Sequence, residues 1–313
     1  MILTVTLNTA LDLTYQVPRL EQHASHRVRE VTERPGGKGL NVARVLAALG
    51  HRTVVTGFVG GHVGARVRAL LADAAGSAAR DAFVEVAGET RRTVAVADSS
   101  TGDTTQLNEQ GPHVTPGEWN TLLVGYRELL GAGQIDAVAL CGSLPPGVPV
   151  GAYSTLVREA RAAGVPVLLD TSGEPLRRGL AARPDLIKPN LSELTAVTGA
   201  VDPLRAARAA RRRGAQAVAV SLGPDGMLAL SAEEVWRAAP PGRLSGNPTG
   251  AGDSAVAGLL SGLVEDLPWP DRLARAVALS AATVRAAAAG EFDREVYADL
   301  LPRVTVTEAS EPA

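Results

Sequence analysis

The sequence predicts an α/β fold in three layers, with a mostly parallel central sheet between helices and a small separate β-sheet as a lid. Short apolar, β-branched runs alternate with segments of helical period through most of the chain, which is typical of parallel strands joined by right-handed crossover helices. Two stretches break this alternation with polar–apolar patterning and no helix, and they predict the hairpins of the lid. We therefore expect one α/β domain over residues 1–313, with lid segments at about 12–34 and 91–110.

The composition is that of an ordinary globular protein. Of 313 residues, 45% are hydrophobic and 20% charged, enough to bury a full core. The formal net charge of −2 gives no field that would attract nucleic acid or a membrane surface. The single cysteine, Cys141, excludes an internal disulfide and suits a reducing compartment, where we expect it to be a small filler. The start lacks a basic signal segment and no apolar run reaches the roughly 18 residues of a membrane span, so we expect a cytoplasmic protein.

The elements follow in order along the chain. The apolar run at 2–7 is the first strand, and Asp12 lies just beyond it, either in a plain turn or as a ligand contact at the carboxyl edge of the sheet. Asn41 is expected to open the first helix, which Gly50 ends, and the polar tail after residue 301 is expected to be loose. Further strands are predicted at 52–59, 84–86, 136–140, 165–169, 186–188, 217–222 and 227–230, and further helices at 66–75, 116–130, 150–163, 173–182, from 190, from 250 and at 273–289.

Residues 246–254 carry the strongest chemical signal. Gly250, Ala251 and Gly252 leave backbone amides with no side chain in front of them, at the point where a helix begins. Unpaired amides at a helix N-terminus carry positive partial charge and cradle anions. Asp253 follows in the first helical turn, where it is either a capping residue or a base that takes a proton while the amides hold the charge developing opposite. The second interpretation describes a kinase.

A second glycine-rich loop, residues 34–41 with Gly36, Gly37, Lys38 and Asn41, lies near the other end of the chain. Together the two loops resemble the paired signatures of the ribokinase-like sugar kinases, the PfkB family, and most closely its branch of 1-phosphofructokinases and tagatose-6-phosphate kinases. Segments 7–12, 142–147, 188–193 and 221–223 also match, in order, from residue 1 to about 301. The fold implied is a ribokinase-like three-layer αβα domain.

The resemblance implies an acceptor site on the lid side. Arg91 matches the arginine that places a fork of donors on the phosphate the sugar already carries, and Arg27 is a second candidate. Lys38 alone does not prove a phosphorylated acceptor, because kinases of free sugars share its loop. His26 and Arg92 are expected to be solvated. The substrate-binding residues implied are Asp12, Gly36, Gly37, Lys38, Asn41, Arg91 and Arg27.

The resemblance also implies ATP and Mg²⁺. The catalytic residues implied are Asp253, Gly250, Ala251 and Gly252, and those near ATP are Lys188, Asn190, Ser221, Gly223, Gly226, Asn247, Thr249, Gly250 and Gly252. Asn190 and Glu193 are expected to orient Mg²⁺ through water, although the same spacing describes a plain capping box.

The reaction implied is transfer of the ATP γ-phosphoryl group to fructose 1-phosphate, giving the 1,6-bisphosphate. Alternatives are tagatose 6-phosphate or fructose 6-phosphate as acceptor, a free sugar or nucleoside, or a sugar-sensing protein without catalysis. Thr9 and Gln110 stand where the branch usually has proline, which leaves the lid geometry and sugar preference open. Family members dimerise through the lid, but the sequence does not fix the assembly. The arginines at 205, 208 and 211–213 are expected on a solvated helix face rather than against nucleic acid.

Overall fold

The computed structural model describes residues 1–28, 30–286 and 289–309. The strands are β1 Ile2–Thr6, β2 Ala10–Val17, β3 Val31–Gly36, β4 Thr53–Val59, β5 Ala79–Asp81, β6 Val84–Glu85, β7 Arg91–Asp98, β8 Thr104–Asn108, β9 Ala137–Cys141, β10 Val167–Asp170, β11 Leu186–Ile187, β12 Ala217–Ser221, β13 Met227–Leu230, β14 Val235–Ala239 and β15 Thr305–Glu308. The helices are α1 Lys38–Ala48, α2 Gly61–Ala75, α3 Pro116–Gly131, α4 Ala152–Ala162, α5 Gly173–Leu180, α6 Leu191–Thr198, α7 Pro203–Arg212, α8 Ala251–Val264, α9 Trp269–Thr283 and α10 Arg294–Leu300, with short 3₁₀ turns at Gly76–Ala78, Gly223–Asp225 and Leu301–Arg303.

The central sheet has the order β15-β14-β13-β12-β11-β10-β9-β1-β4-β5, with β6 beside the end of β4. Pairing is parallel from β5 to β12 and antiparallel from β12 to β15. Buried residues alternate between the two faces, so that Leu3 packs in one apolar cluster and Ile2 in another. Helices α3 to α7 cover the first face, and α1, α8 and α9 cover the second. The predicted three-layer fold is confirmed.

A second, four-stranded sheet lies beside the main one, in the order β3-β2-β7-β8. It consists of two antiparallel hairpins, β2–β3 and β7–β8, joined by parallel pairing of β2 with β7. This is the small separate sheet that the two irregular stretches predict, and we call it the lid sheet. Leu11, Leu13 and Leu40 belong to an apolar cluster that packs the lid sheet against α1 and α2.

The structure corrects several predicted boundaries. Helix α1 begins at Lys38 rather than Asn41, because Gly37 turns the chain with φ 102° and already serves as the N-cap. Asp12 lies inside β2, opposite Arg34, and not in a turn after β1. Helix α9 ends at Thr283, short of the predicted end at 289, and residues 287–288 lie outside the described chain.

The tail after residue 301 is not loose as far as the structure describes it. Residues 305–308 form β15, which pairs antiparallel with β14 through the register Trp236 to Glu308. Strands β5 and β14 were also absent from the predicted set. In the described residues no helix combines the length and apolar character needed to cross a membrane.

Candidate active site

The glycine-rich loop at residues 34–41, which we call the acceptor loop after its predicted role, is built by the end of β3 and the start of α1. Gly36 lies opposite Ala10 in the β2–β3 ladder, which brings it beside the carboxylate of Asp12. A Cβ atom on Gly36 would come within 2.2 Å of Asp12 Cγ, so only glycine leaves room for that carboxylate. Asp12 therefore faces a stretch of backbone without side chains.

Asp12 and Arg91 form an electrostatic pair on adjacent lid strands. Burial raises the pKa of Asp12 to about 6, although the positive charge of Arg91 and a hydrogen bond from Thr93 oppose the rise. Burial also lowers the pKa of Arg91, while Asp12 opposes that shift. Arg91 is held by carbonyl groups, since its Nε donates to Asn8 O at 3.2 Å and its Nη1 to Glu109 O at 3.3 Å. The pair places one anion and one cation at the mouth of the acceptor loop.

Arg27, Arg92 and Thr9 have different surroundings. Arg27 is exposed and makes no hydrogen bond or ion pair with another described residue, so no such contact ties it to the acceptor loop. Arg92 is half-exposed and pairs with Glu109, as expected of a surface arginine. Thr9, in place of the usual proline, is buried and its hydroxyl donates to Thr6 O at 3.1 Å.

Gln110 and Asn8 line a cleft of about 520 Å³ with Ser143, Thr171 and Ser172, next to the acceptor loop. Asn8 Nδ2 donates to Ser143 Oγ at 3.0 Å, whereas its Oδ1 is buried without a hydrogen bond in the described chain. The matching segment 142–147 marked this loop in the sequence but assigned no role to Ser143. Gln110 therefore lies in a cleft next to the acceptor loop.

The turn at residues 250–253, which we call the anion turn after its predicted role, forms the head of α8. Gly250 is the N-cap with φ 85°, and a Cβ atom there would lie 2.8 Å from Ala289 Cα. The Ala251 amide donates to Pro248 O, while the amides of Gly252 and Asp253 have no backbone acceptor among the described residues. Of the amides expected to hold an anion, that of Ala251 is therefore already used inside the turn.

Asp253 is buried in the first turn of α8 and connects the two glycine-rich loops. Asn41 Nδ2 donates to Asp253 Oδ2 at 2.8 Å, across 212 residues of sequence. Burial raises the pKa of Asp253 to about 6, against the opposing charge of Lys38 and with a further rise from Asp170. A carboxylate with this pKa is ionised at neutral pH and still takes up a proton readily, as a general base must.

Two lysines share one buried carboxylate that sequence reasoning did not assign. Lys38 Nζ donates to Asp170 Oδ2 at 3.2 Å, and Lys188 Nζ lies 3.5 Å from Asp170 Oδ1. Burial by itself would lower the pKa of Lys38, but Asp170 and Asp253 outweigh it and raise that pKa well above its usual value. The available signal was the position of Asp170 at the end of a buried strand, beside the strand that leads to Lys188.

A cavity of about 510 Å³ opens on the other side of the anion turn. Its walls include Asn190, Ser221, Gly223, Gly226 and Gly252, all predicted near ATP, together with the apolar side chains of Met227, Val277 and Val284. Gly226 has φ 88°, and a Cβ atom there would lie 2.0 Å from Ala238 O. An apolar slot beside exposed amides suits a flat base joined to phosphates.

Asn247 and Thr249 line a neighbouring groove of about 590 Å³ that also touches the tip of the β7–β8 hairpin. Asn247 Oδ1 accepts a hydrogen bond from the Thr249 amide at 3.0 Å and so shapes the approach to the anion turn. Both residues therefore face the lid sheet, and neither lines the cavity with Gly226.

Asn190 and Glu193 form a complete capping box at the start of α6. Asn190 Oδ1 accepts from the Glu193 amide at 2.8 Å, and Glu193 Oε2 accepts from the Asn190 amide at 2.9 Å. Glu193 Oε1 accepts no hydrogen bond in the described chain, so one carboxylate oxygen remains for a hydrated cation. Among the described residues no group of three or more His, Cys, Asp or Glu side chains is placed to hold a metal.

Known proteins resemble this chain over nearly its whole length. Residues 4–295 match the pfkB family carbohydrate kinases. A 1-phosphofructokinase of Rhodobacter capsulatus is 41% identical over 288 residues, covering 90% of each chain. A Thermotoga maritima structure described as a "Possible 1-phosphofructokinase" superposes with a TM-score of 0.90 at 28% identity, covering 99% of this chain and 100% of the other. Escherichia coli phosphofructokinase-2 in complex with fructose-6-phosphate gives 0.85 at 30% identity, covering 96% and 98%.

Proposed function

The chain belongs to the pfkB family of carbohydrate kinases, and we propose that it transfers the γ-phosphoryl group of ATP to a hydroxyl of a ketose phosphate. The preferred acceptor is fructose 1-phosphate, giving fructose 1,6-bisphosphate, since the curated relative at 41% identity is named for that reaction. The observation that carries the proposal is the hydrogen bond between Asn41, on the acceptor loop, and Asp253, at the anion turn. It joins the two halves that a phosphoryl transfer must bring together.

Asp253 is the general base of this reaction. Its Oδ2 atom is held by Asn41, while Oδ1 accepts no hydrogen bond in the described chain and can receive the proton of the acceptor hydroxyl. As the hydroxyl oxygen bonds to the γ-phosphorus, the bond from that phosphorus to the β-phosphate oxygen breaks and ADP leaves. General-base assistance of this kind contributes about 10²–10⁴-fold to rate.

The residues around the ATP phosphates neutralise their charge and hold them in position. The amides of Gly252 and Asp253 have no backbone acceptor among the described residues, so they are available to the transferring oxygens at the positive end of α8. Lys188 lies against the same turn, since a Cβ atom on Gly252 would be 3.5 Å from its Nζ. Glu193 and Asn190 would hold Mg²⁺ through its water shell. That ion, when bound with ATP, neutralises phosphate charge as the transfer proceeds.

Arg91 and Lys38 give the acceptor site its preference for a phosphorylated sugar. Both are cationic, and Arg91 lies beside Asp12, which can accept hydrogen bonds from sugar hydroxyls. The cleft that contains Ser143 and Gln110 continues from this point and offers polar groups to the far end of the sugar. A free sugar would offer no phosphate oxygens to the guanidinium of Arg91.

The lid sheet is also the surface we assign to a homodimer. Val31 and Leu107, on its two edge strands, are 52% and 60% exposed, although both are large and apolar. Edge strands with such side chains favour pairing with another sheet. Pairing through the lid would also bring Arg27 of one protomer closer to its neighbour.

A coupled ADP-release assay tests the reaction. The purified chain is supplied with MgATP and, in turn, fructose 1-phosphate, fructose 6-phosphate, tagatose 6-phosphate, free fructose, ribose and adenosine. We expect the highest kcat/KM with fructose 1-phosphate and negligible turnover with unphosphorylated acceptors. A higher kcat/KM with a free sugar would overturn the acceptor assignment, and ADP release from none of them would overturn the proposed function.

A further inference from the structure

Asp170 is a buried charge with no role in the reaction as described so far. Its side chain is 1% exposed, yet its only ionic partners in the described chain are Lys38 and Lys188. Its Oδ1 atom is buried without a hydrogen bond among the described residues. A buried carboxylate is strongly destabilised unless nearby cations compensate its charge, so Asp170 depends on the two lysines.

The sheet fixes this arrangement. Asp170 is the last residue of β10, whose neighbour β11 pairs Leu169 with Ile187 and so brings Lys188 alongside. On the opposite side β10 pairs Asp170 with Cys141, and the Gly142 amide donates to Asp170 O at 2.9 Å. Parallel strands on both sides therefore hold the backbone of Asp170, which fixes the position from which its side chain extends.

The two lysines belong to different halves of the site. Lys38 is the first residue of α1, directly after Gly37 of the acceptor loop, and its side chain is 39% exposed. Lys188 is 5% exposed and its Nζ lies against Gly252 of the anion turn. Each lysine pairs with a different oxygen of Asp170.

We infer that Asp170 is a positioning residue, which holds Lys38 on the acceptor side and Lys188 on the donor side of the transferring phosphoryl group. The inference rests on the proposed function, because it assigns the two sides from that reaction. Without the carboxylate the two ammonium groups repel each other, and the more exposed Lys38 moves away into solvent. Asp170 itself contacts neither substrate and acts through the lysines.

The first test is Asp170→Asn, which keeps the shape of the side chain and removes its charge. Hydrogen bonds to charged groups contribute about 1.5–3 kcal/mol, which corresponds to a loss of about 10- to 150-fold in kcat/KM for both the sugar phosphate and ATP. The matched control is Glu265→Gln. Glu265 also pairs with two cationic side chains, His51 and Arg275, but at the far end of α8, and this variant should keep wild-type kinetics.

The second test separates positioning from folding, because a buried substitution can also destabilise the protein. Lys38→Met removes the exposed lysine, and Asp170→Asn is then repeated in that background. We expect Asp170→Asn to change the acceptor KM by less than about 3-fold there, while the ATP KM still rises through Lys188. If the change in acceptor KM in the double variant equals the product of the changes in the two single variants, the inference is overturned.

The pH profile gives a third readout, which a structural role would not move. Lys38 lowers the pKa of Asp253 more than Asp170 raises it, so release of Lys38 in Asp170→Asn should move the acid limb of kcat/KM to higher pH, with no movement in Glu265→Gln. Loss of the Asp170 charge with Lys38 still in place would move the limb to lower pH instead. A limb that moves to lower pH, or does not move, would contradict the inference.

Binding of a non-hydrolysable ATP analogue separates this inference from the proposed function. Titration calorimetry with Asp170→Asn should show weaker binding of that analogue even if no ketose phosphate proves to be an acceptor. Unchanged affinity in a folded Asp170→Asn protein would refute the donor half of the inference, whereas a wild-type protein without turnover would refute only the reaction.

Discussion

Asp253→Asn separates the chemistry of the base from the packing around it. The carboxamide has the shape of the carboxylate, and its oxygen can still accept the hydrogen bond that Asn41 Nδ2 donates at 2.8 Å. The geometry of the anion turn should therefore survive, while the atom that takes the proton is lost. We expect kcat to fall by about 10²–10⁴-fold. Binding of the ATP analogue should change little.

The same substitution should stabilise the protein. A folded pKa of about 6 against a reference of 3.8 means that burial disfavours the Asp253 carboxylate relative to its protonated form. At 1.36 kcal/mol per pKa unit, the ionised side chain costs up to about 3 kcal/mol of folding free energy above pH 6. Because the pKa is raised in the folded state, this cost begins to fall as the pH drops through the folded pKa. It is gone once the pH lies below the unfolded pKa, where both states are protonated. About half of it remains at pH 5.

Urea unfolding of wild type and Asp253→Asn at pH 8 and pH 5 measures this difference. The variant should be more stable at pH 8 by up to about 3 kcal/mol, and its advantage should shrink by about half at pH 5. Asp271→Asn, in the first turn of α9, is the matched control, because that exposed carboxylate should affect neither kcat nor the pH dependence. An unchanged kcat in Asp253→Asn would refute the base assignment, and an unchanged stability would refute the burial argument.

Three further predictions follow from the same geometry. Wild-type kcat/KM should rise with pH through about 6 and then level off, because Asp253 must be ionised. Burial raises this pKa, Asp170 raises it further, and Lys38 and Lys188 lower it; a limb absent between pH 5 and 7 would contradict the prediction. Gly250→Ala should lower kcat at least tenfold, since φ 85° and the 2.8 Å approach to Ala289 leave no room for a methyl group, and circular dichroism would verify that the variant folds. Arg91→Lys should raise the KM for the sugar phosphate about tenfold while kcat changes less, because an ammonium cannot make the forked contact; an equal loss in both would argue for a role in the transfer step.

The two glycine-rich loops could be predicted from residues close together in the sequence. Three small residues before Asp253, and glycines on both sides of Lys38, leave the backbone amides uncovered by side chains and free to adopt positive φ, so an anion site could be predicted at both loops without coordinates. The spacing of Asn190 and Glu193 predicted a capping box, and the structure contains one. These features depend on neighbours within about one helical turn, which a single sequence displays.

The features that the sequence did not reveal depend on distant pairing. Asp170 looks like any acidic residue after a strand, and only the order β9-β10-β11 places it between the two lysines. The tail at 305–308 is polar, and it becomes a strand because β14 offers it an edge. The start of α1 was missed by three residues, because a glycine N-cap carries no side-chain signal.

The site also shows how the lid sheet is connected to the anion turn. Glu291 Oε1 accepts from Arg34 Nε at 2.9 Å, on lid strand β3, and from Arg44 Nη2 at 2.7 Å, on α1. Arg44 Nη1 also donates at 2.9 Å to the carbonyl of Ala289, the residue against which Gly250 packs. Because Arg44 is buried, it cannot leave these partners without exposing an unpaired charge to the interior. A shift of β3 would therefore displace the residues that pack against Gly250, the N-cap of α8. Two sets of contacts thus fix the acceptor loop relative to the anion turn: this network, and the hydrogen bond from Asn41 to Asp253.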